Sequence, residues 1–351
     1  MTTVTIIGAG MMGTALCWPL RDNGLDVRLV GTPLDEEIIR SIIQTGIHPT
    51  LQRRIPDGIK SVYCDDLSQA LQGTDFVVNG VSSFGADWFA HVVGPVLKPE
   101  VPVIAVTKGL VVQPDGHLKT FPEYTNDCLP SESRGKISLN AIGGPCIAHE
   151  LPARRQTCVV FTGYDLDILL KLKKVFSTSY YHIWASKDVR EVEICAALKN
   201  GYALALGMMV GILDKTGTDG LAGMYNPQAA LFAQSCREIR LLLKSQGGKE
   251  EYAGELPGVG DLYVTVYGGR TLKLGRLLGQ GISFTRAMEE MAGITLESVE
   301  IITRVADAIK PLEDKGLIRS DELPLLKFIY DVIRFNRPVD FPWERFFGNL
   351  N

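Results

Sequence analysis

Residues 1–13, MTTVTIIGAGMMG, run from an apolar, β-forming stretch straight into three glycines, and Thr14 to Asn23 continue in a helical pattern. A strand, a tight turn and a helix start in that order mark a dinucleotide-binding βαβ unit. Gly8 permits the turn, Gly10 lets a pyrophosphate approach the backbone, and Gly13 lets the helix pack closely on its strand. Free amides at the helix start, with Met11 and Met12 in its first turn, then face the phosphates, helped by the helix dipole. Glycine-rich turns also close strands for steric reasons alone. Here the strand before the triplet and the helix after it favour the dinucleotide reading.

At 351 residues the chain exceeds one ordinary core, so two domains are expected. The βα alternation stops near Lys187, and from Asp188 the pattern is helical. The expected fold is therefore α/β, a Rossmann-type dinucleotide-binding domain over 1–187 followed by an all-α substrate domain over 188–351. No Pro/Ser-rich spacer separates them, which predicts two domains locked around a shared cleft.

Charge and cysteine usage exclude other classes. The net charge is -4 and the 36 basic residues are scattered, so no patch gathers the cationic density that nucleic acid requires. The seven cysteines form no CxxC pair, and Cys158 and Cys195 sit in apolar runs, which predicts reduced thiols in the cytoplasm and no metal site. The N-terminus enters the first strand directly, leaving no room for an export signal. Residues 194–213 are almost wholly apolar and about long enough to span a bilayer, but Lys199 and Asn200 interrupt them. A buried core helix carrying a polar site is the better reading.

Along the first domain, the strand Asp26–Val30 ends in Gly31-Thr32-Pro33, where NAD-preferring folds usually place an acid for the ribose hydroxyls. Here the acids come later, at Asp35, Glu36 and Glu37. A 2′-phosphate is then not repelled, and Thr32 or Arg40 is placed to help hold it; Asp35 swinging back would serve NAD instead. The cofactor is thus NAD or NADP, with a slight lean to NADP. Ser82, Ser83 and Phe84 follow the strand over 75–80 and should border the cofactor, although serines in loops also serve simply as turn formers. Lys108 follows the strand over 101–107 and is a candidate to touch substrate. Gly143-Gly144-Pro145-Cys146 ends another strand, with a helix expected behind the proline over 147–150 and its free amides exposed at the strand end.

The helix over 191–202 carries Lys199 on a face with Cys195, Ala196, Ala203 and Leu206. Burying an unpaired ammonium costs several kcal/mol, so this lysine needs a partner or a lowered pKa, the setting of a proton donor near neutral pH. A structural ion pair is the alternative. Asp261, delivered by the glycine-rich turn over 256–262, is the natural partner. Gly268-Gly269-Arg270-Thr271 offers a guanidinium fork beside free amides, a good fit for phosphate.

Taken in order, Gly8–Gly13, Thr107–Leu110, Gly144–Ala148, Glu193–Asn200, Gly260–Leu262 and Gly268–Gly281 resemble the soluble NAD(P)-dependent glycerol-3-phosphate dehydrogenases across nearly the whole length. The Gly-Gly-Arg form and His48-Pro-Thr-Leu51 look most like the archaeal branch. The resemblance implies reversible reduction of dihydroxyacetone phosphate to glycerol 3-phosphate, a step of glycerophospholipid metabolism. It implies Lys199 as general acid/base and Asp261 as its orienting carboxylate. Lys108 and Asn200 would contact substrate, Arg270 and Thr271 would hold its phosphate beside Gly144, and Glu297, with Ala148, Lys108 and Arg270, would meet the cofactor. It leaves a homodimer open. Thr271 replaces the family's usual asparagine and Gly201 a larger residue, and either could signal a shifted substrate preference. Two rivals follow: a ketopantoate reductase-like enzyme acting on another small keto acid or phosphorylated ketone, and a dinucleotide-binding sensor without turnover.

Overall fold

A computed structural model describes residues 1–217 and 223–347 of the chain. Its backbone divides into two compact units, residues 1–108 with 120–193, and residues 109–119 with 194–351. The division falls inside the helix Val189–Thr216, at 193/194 where the sequence suggested 187/188, and the segment 109–119 joins the second unit.

The first unit is built on an eight-stranded sheet. In spatial order the strands are Tyr181–Ser186, Thr157–Thr162, Leu139–Gly143, Val103–Ala105, Phe76–Asn79, Thr3–Ile7, Asp26–Val30 and Lys60–Val62. The last six run parallel, and the first two run against them. Thr3–Ile7 is rich in β-branched residues and every one is buried, as expected of a strand covered on both faces. Chain order reverses across this strand, with Asp26–Val30 on one side and Phe76–Asn79 on the other. Residues following Ile7 therefore leave the sheet at a topological switch point, where open α/β sheets bind ligands.

Behind the glycine loop the helix is interrupted at Leu16, giving Met11–Ala15 and Cys17–Asp22. Pro19 is the cause, because it has no amide to bond the carbonyl of Ala15. The helix expected behind Pro145 is absent. Residues 148–154 form successive turns, with Glu150 N on Ile147 O at 2.9 Å and Arg154 N on Leu151 O at 2.9 Å. Pro152 supplies no amide to bond the carbonyl of Ala148 and disfavours the helical conformation for the residue before it, which suits turns in place of a helix.

The second unit is helical. From Ile194 onward Val189–Thr216 threads its apolar core, and 78% of its most apolar window is buried, which suits a core helix despite a length and hydropathy that could cross a bilayer. It meets the helix Arg270–Gly279 backbone to backbone. A Cβ on Gly275 would lie 2.7 Å from Gly207 Cα, one on Gly279 would lie 1.9 Å from Met208 O, and one on Gly211 would lie 2.1 Å from Arg276 O. Gly207 and Gly211 on one helix, Gly275 and Gly279 on the other, thus form facing small-residue grooves. This unit also holds most of a hairpin, Leu110–Val112 and Leu118–Thr120, absent from the all-helical expectation. Gln246 fixes it from the helical side, accepting from Leu118 N at 2.9 Å and donating to Gly116 O at 3.2 Å.

Glu238, on the helix Tyr225–Ser245, is a buried carboxylate that starts another helix. It accepts from Leu325 N at 2.7 Å and Leu326 N at 2.8 Å, first-turn amides of Pro324–Phe335. Gln234 at 2.7 Å and Tyr202 at 3.0 Å also donate to it. Burial pushes its carboxyl up to about 7, and these donors work in the opposite direction. Glu238→Leu strands these donors in an apolar interior and should lower the unfolding free energy by about 3 kcal/mol. Urea denaturation measures it; a loss below about 0.5 kcal/mol would show that the carboxylate contributes no net stability.

Candidate active site

The parallel strands bring the residues singled out in the first unit to one edge of the sheet. Gly8 follows Thr3–Ile7, Thr32 follows Asp26–Val30, and Ser82 and Phe84 follow Phe76–Asn79. Lys108 follows Val103–Ala105 and Gly144 follows Leu139–Gly143, while Ala148 lies in the turns beyond. Thr107 ties two of these loops together, its hydroxyl donating to Val81 O at 2.8 Å. Ser82 and Phe84 are exposed at this edge, and Ser83 is buried.

The glycine loop fits a dinucleotide on steric grounds. Gly8 has φ +107°, and a Cβ there would lie 2.7 Å from the backbone of Gly80; a Cβ on Gly13 would lie 2.4 Å from Gly8 O. Those two glycines are explained by the protein's own packing. Gly10 is different, because a Cβ there would meet only Gly80 O at 3.9 Å, so the room beside it is left open. Met11 and Met12 are half-buried in the first helical turn. Asp35 is engaged by the protein itself: its Oδ2 accepts from Thr32 N at 2.9 Å, Thr32 Oγ1 at 2.8 Å and Ala9 N at 3.0 Å. Arg40 is engaged by Glu36 at 2.6 Å and Glu37 at 2.9 Å. Neither Thr32 nor Arg40 stands uncommitted for a 2′-phosphate.

In the second unit a polar chain links four helices. Lys199 Nζ donates to Asp261 Oδ1, and the two side chains are 10% and 1% exposed. Asp261 opens the short helix Asp261–Thr265, positioned by the π-helical turn Leu256–Gly260. Next to Lys199, Asn200 Nδ2 donates to Glu297 Oε2 at 3.4 Å, and the same oxygen lies 4.0 Å from Arg270 Nη2. Glu297 begins the helix Glu297–Asp314 and Arg270 begins Arg270–Gly279, with Gly269 at φ +93° just before it. Arg270 is exposed and Thr271 half-buried, both in the first turn of a ten-residue helix whose free amides suit an anion. Gly201 has a packing reason: a Cβ there would lie 2.8 Å from Ile302 and 3.1 Å from Ile301. Its small size follows from a helix crossing.

Known proteins match along the same lines. The model of the NAD-dependent glycerol-3-phosphate dehydrogenase N-terminus matches residues 3–168, and that of the C-terminus matches residues 188–342. An NADP(+)-dependent glycerol-3-phosphate dehydrogenase of Archaeoglobus fulgidus is 35% identical over 330 residues, 94% of either chain. The chain belongs to the NAD-dependent glycerol-3-phosphate dehydrogenase family. A glycerol-3-phosphate dehydrogenase [NAD(P)+] of Shouchella clausii is 30% identical, covering 95% of this chain and 92% of its own. Among solved structures, glycerol-3-phosphate dehydrogenase of Plasmodium falciparum superposes with a TM-score of 0.82 at 21% identity, covering 100% of this chain and 96% of that one. A ketopantoate reductase of Ralstonia eutropha reaches 0.52 at 15% identity over 95% of this chain and 98% of its own, a likeness of fold alone.

Two groups escaped the sequence reading. The facing glycines that seat the Arg270 helix were visible as two four-residue spacings. Glu193, quoted within a motif but given no role, is fully buried, and neither carboxylate oxygen has a hydrogen-bond partner among the described residues. Burial pushes its carboxyl up to about 8, with Lys108 opposing and Glu123 reinforcing the shift. A folded value above the ordinary 4.5 means that the neutral acid suits the fold. Its stabilising contribution is complete below about pH 4.5 and is lost as pH rises toward about 8. Glu193→Gln should therefore gain stability relative to the parent as pH climbs through that window, read from urea midpoints. A difference that does not vary with pH would mean that Glu193 is already ionised in the fold.

Proposed function

We propose that the protein reversibly reduces dihydroxyacetone phosphate to glycerol 3-phosphate, with Lys199 as the general acid and Asp261 as the carboxylate that orients it. The observation that carries this reading is the buried Lys199–Asp261 pair, joined through Asn200 and Glu297 to an exposed arginine at a helix N-terminus, in a chain of this family. When bound, NADH or NADPH supplies the hydride to the C2 carbonyl. The ammonium of Lys199 would stabilise the developing alkoxide and give it a proton, becoming the neutral amine, and a preorganised charge in a dry setting is worth more there than in water. Asp261 holds the ammonium in one direction and offsets its desolvation.

Arg270 and the amides of its helix bind the phosphate, with Thr271 adding a hydroxyl, so remote binding energy fixes the orientation of the reacting carbon. Glu297 restrains Arg270 and Asn200 together. Lys108 and Gly144 contribute to substrate binding from the carboxyl edge of the sheet, and Gly8, Gly10, Met11, Met12, Gly13, Thr32, Ser82, Phe84 and Ala148 to dinucleotide binding. Cysteines read as reduced thiols suit a cytoplasmic setting.

The test is oxidation of NADH and of NADPH with dihydroxyacetone phosphate. Lys199→Ala should lower kcat by about a thousandfold while leaving dinucleotide affinity near the parent's. Arg270→Ala should raise KM for the phosphorylated ketone by about ten- to a hundredfold, with a smaller effect on kcat. Near-normal turnover in Lys199→Ala would remove the lysine from the chemistry. Equal rates with unphosphorylated dihydroxyacetone would remove the phosphate contact.

A further inference from the structure

We propose that His48 is a positioning residue of the dinucleotide site, gripping the peptide between Ala9 and Gly10 so that the Gly10 amide faces the ligand. The inference rests on the reading of the glycine loop as the cofactor site. His48 closes the ribbon formed by Ile47–His48 and Arg53–Arg54 and is wholly buried. Its Nδ1 lies 3.1 Å from Leu51 N. A backbone amide can only donate, so Nδ1 is an acceptor and the ring proton sits on Nε2. Nε2 then donates to Ala9 O at 2.8 Å, which fixes both the tautomer and the direction of the bond. Burial lowers the ring's pKa, which keeps it neutral in this role.

Ala9 is held on every polar atom of its backbone. Its carbonyl accepts from His48 and from Thr14 Oγ1 at 3.2 Å, and its amide donates to Asp35 Oδ2 at 3.0 Å. The carbonyl of Ala9 and the amide of Gly10 belong to one trans peptide, since the described chain has no cis bond. In a trans peptide the two groups lie in one plane and point in opposite directions. Two donors drawing the carbonyl inward therefore aim the Gly10 amide outward, on the residue whose Cβ side is open. The His48-Pro49-Thr50-Leu51 stretch, idle in the catalytic reading, becomes a brace for the loop: His48 reaches the carbonyl, and Leu51 orients His48.

Two substitutions separate the two ring nitrogens. His48→Asn keeps an acceptor near Leu51 N and loses the donor to Ala9, whereas His48→Gln keeps a donor at the Nε2 position and loses the acceptor. Dinucleotide affinity is read by titrating NADH and NADPH fluorescence against the full chain. His48→Asn should weaken binding by about tenfold, while His48→Gln stays within about threefold of the parent. In turnover, His48→Asn should raise KM for the dinucleotide with kcat and the KM for the ketone within about twofold. Unchanged binding in His48→Asn, or equal losses in both variants, would overturn the proposal. If the parent itself binds neither dinucleotide, the cofactor reading of the loop fails first, an outcome distinct from failure of the brace.

Discussion

A lysine ammonium and an aspartate carboxylate pressed together in a nearly dry interior govern the second unit. Lys199 and Asp261 are 62 residues apart in sequence, and neither could be buried alone without a large desolvation penalty. Once paired, they fix how the helix Val189–Thr216 faces the turn that delivers Asp261. A pair of this kind contributes little net stability over a well-packed apolar alternative, so its presence asks for another reason. Proton transfer to an alkoxide is a reason that uses both members, one as donor and one as orienting charge.

Around that pair, close approach of backbones does the positioning. Gly207 and Gly211 face Gly275 and Gly279 with no space for side chains, which fixes the helix that begins at Arg270 against the helix that bears Lys199. Gly201 receives Ile301 and Ile302 in the same way, seating the helix that begins at Glu297. Glycines thus set how these three helices meet. The contacts of Glu297 with Asn200 and Arg270 then link the proposed phosphate arginine to the residue next to the lysine. In the first unit the close contacts of Gly8, Gly13 and Gly80 are joined by hydrogen bonds to both sides of Ala9.

Much of this was legible in the sequence because the signals were local. A β-branched run ending in Gly8 has few alternatives to a strand and turn, and the apolar surroundings of Lys199 demanded a partner that the glycine-rich turn could supply. Nonlocal packing was not legible. The hairpin 109–119 reads as part of the strand–helix alternation, and only its contacts with the helical unit assign it elsewhere. The helix expected after Pro145 failed because Pro152, seven residues on, outweighed the start signal. Asp35 was weighed as a ribose ligand, and its bonds to Ala9 and Thr32 could not be inferred from spacing. The absence of a side chain at Gly201 looked functional until the isoleucines opposite it gave a steric cause.

The central claim is that the charge of Asp261 sets the working state of Lys199. The most direct measurement is kcat for dihydroxyacetone phosphate reduction in Asp261→Asn beside the parent. The account predicts a rate lower by about a hundredfold with dinucleotide affinity near the parent's, because the ammonium loses the carboxylate that orients it. A variant that keeps the parent's rate would contradict it.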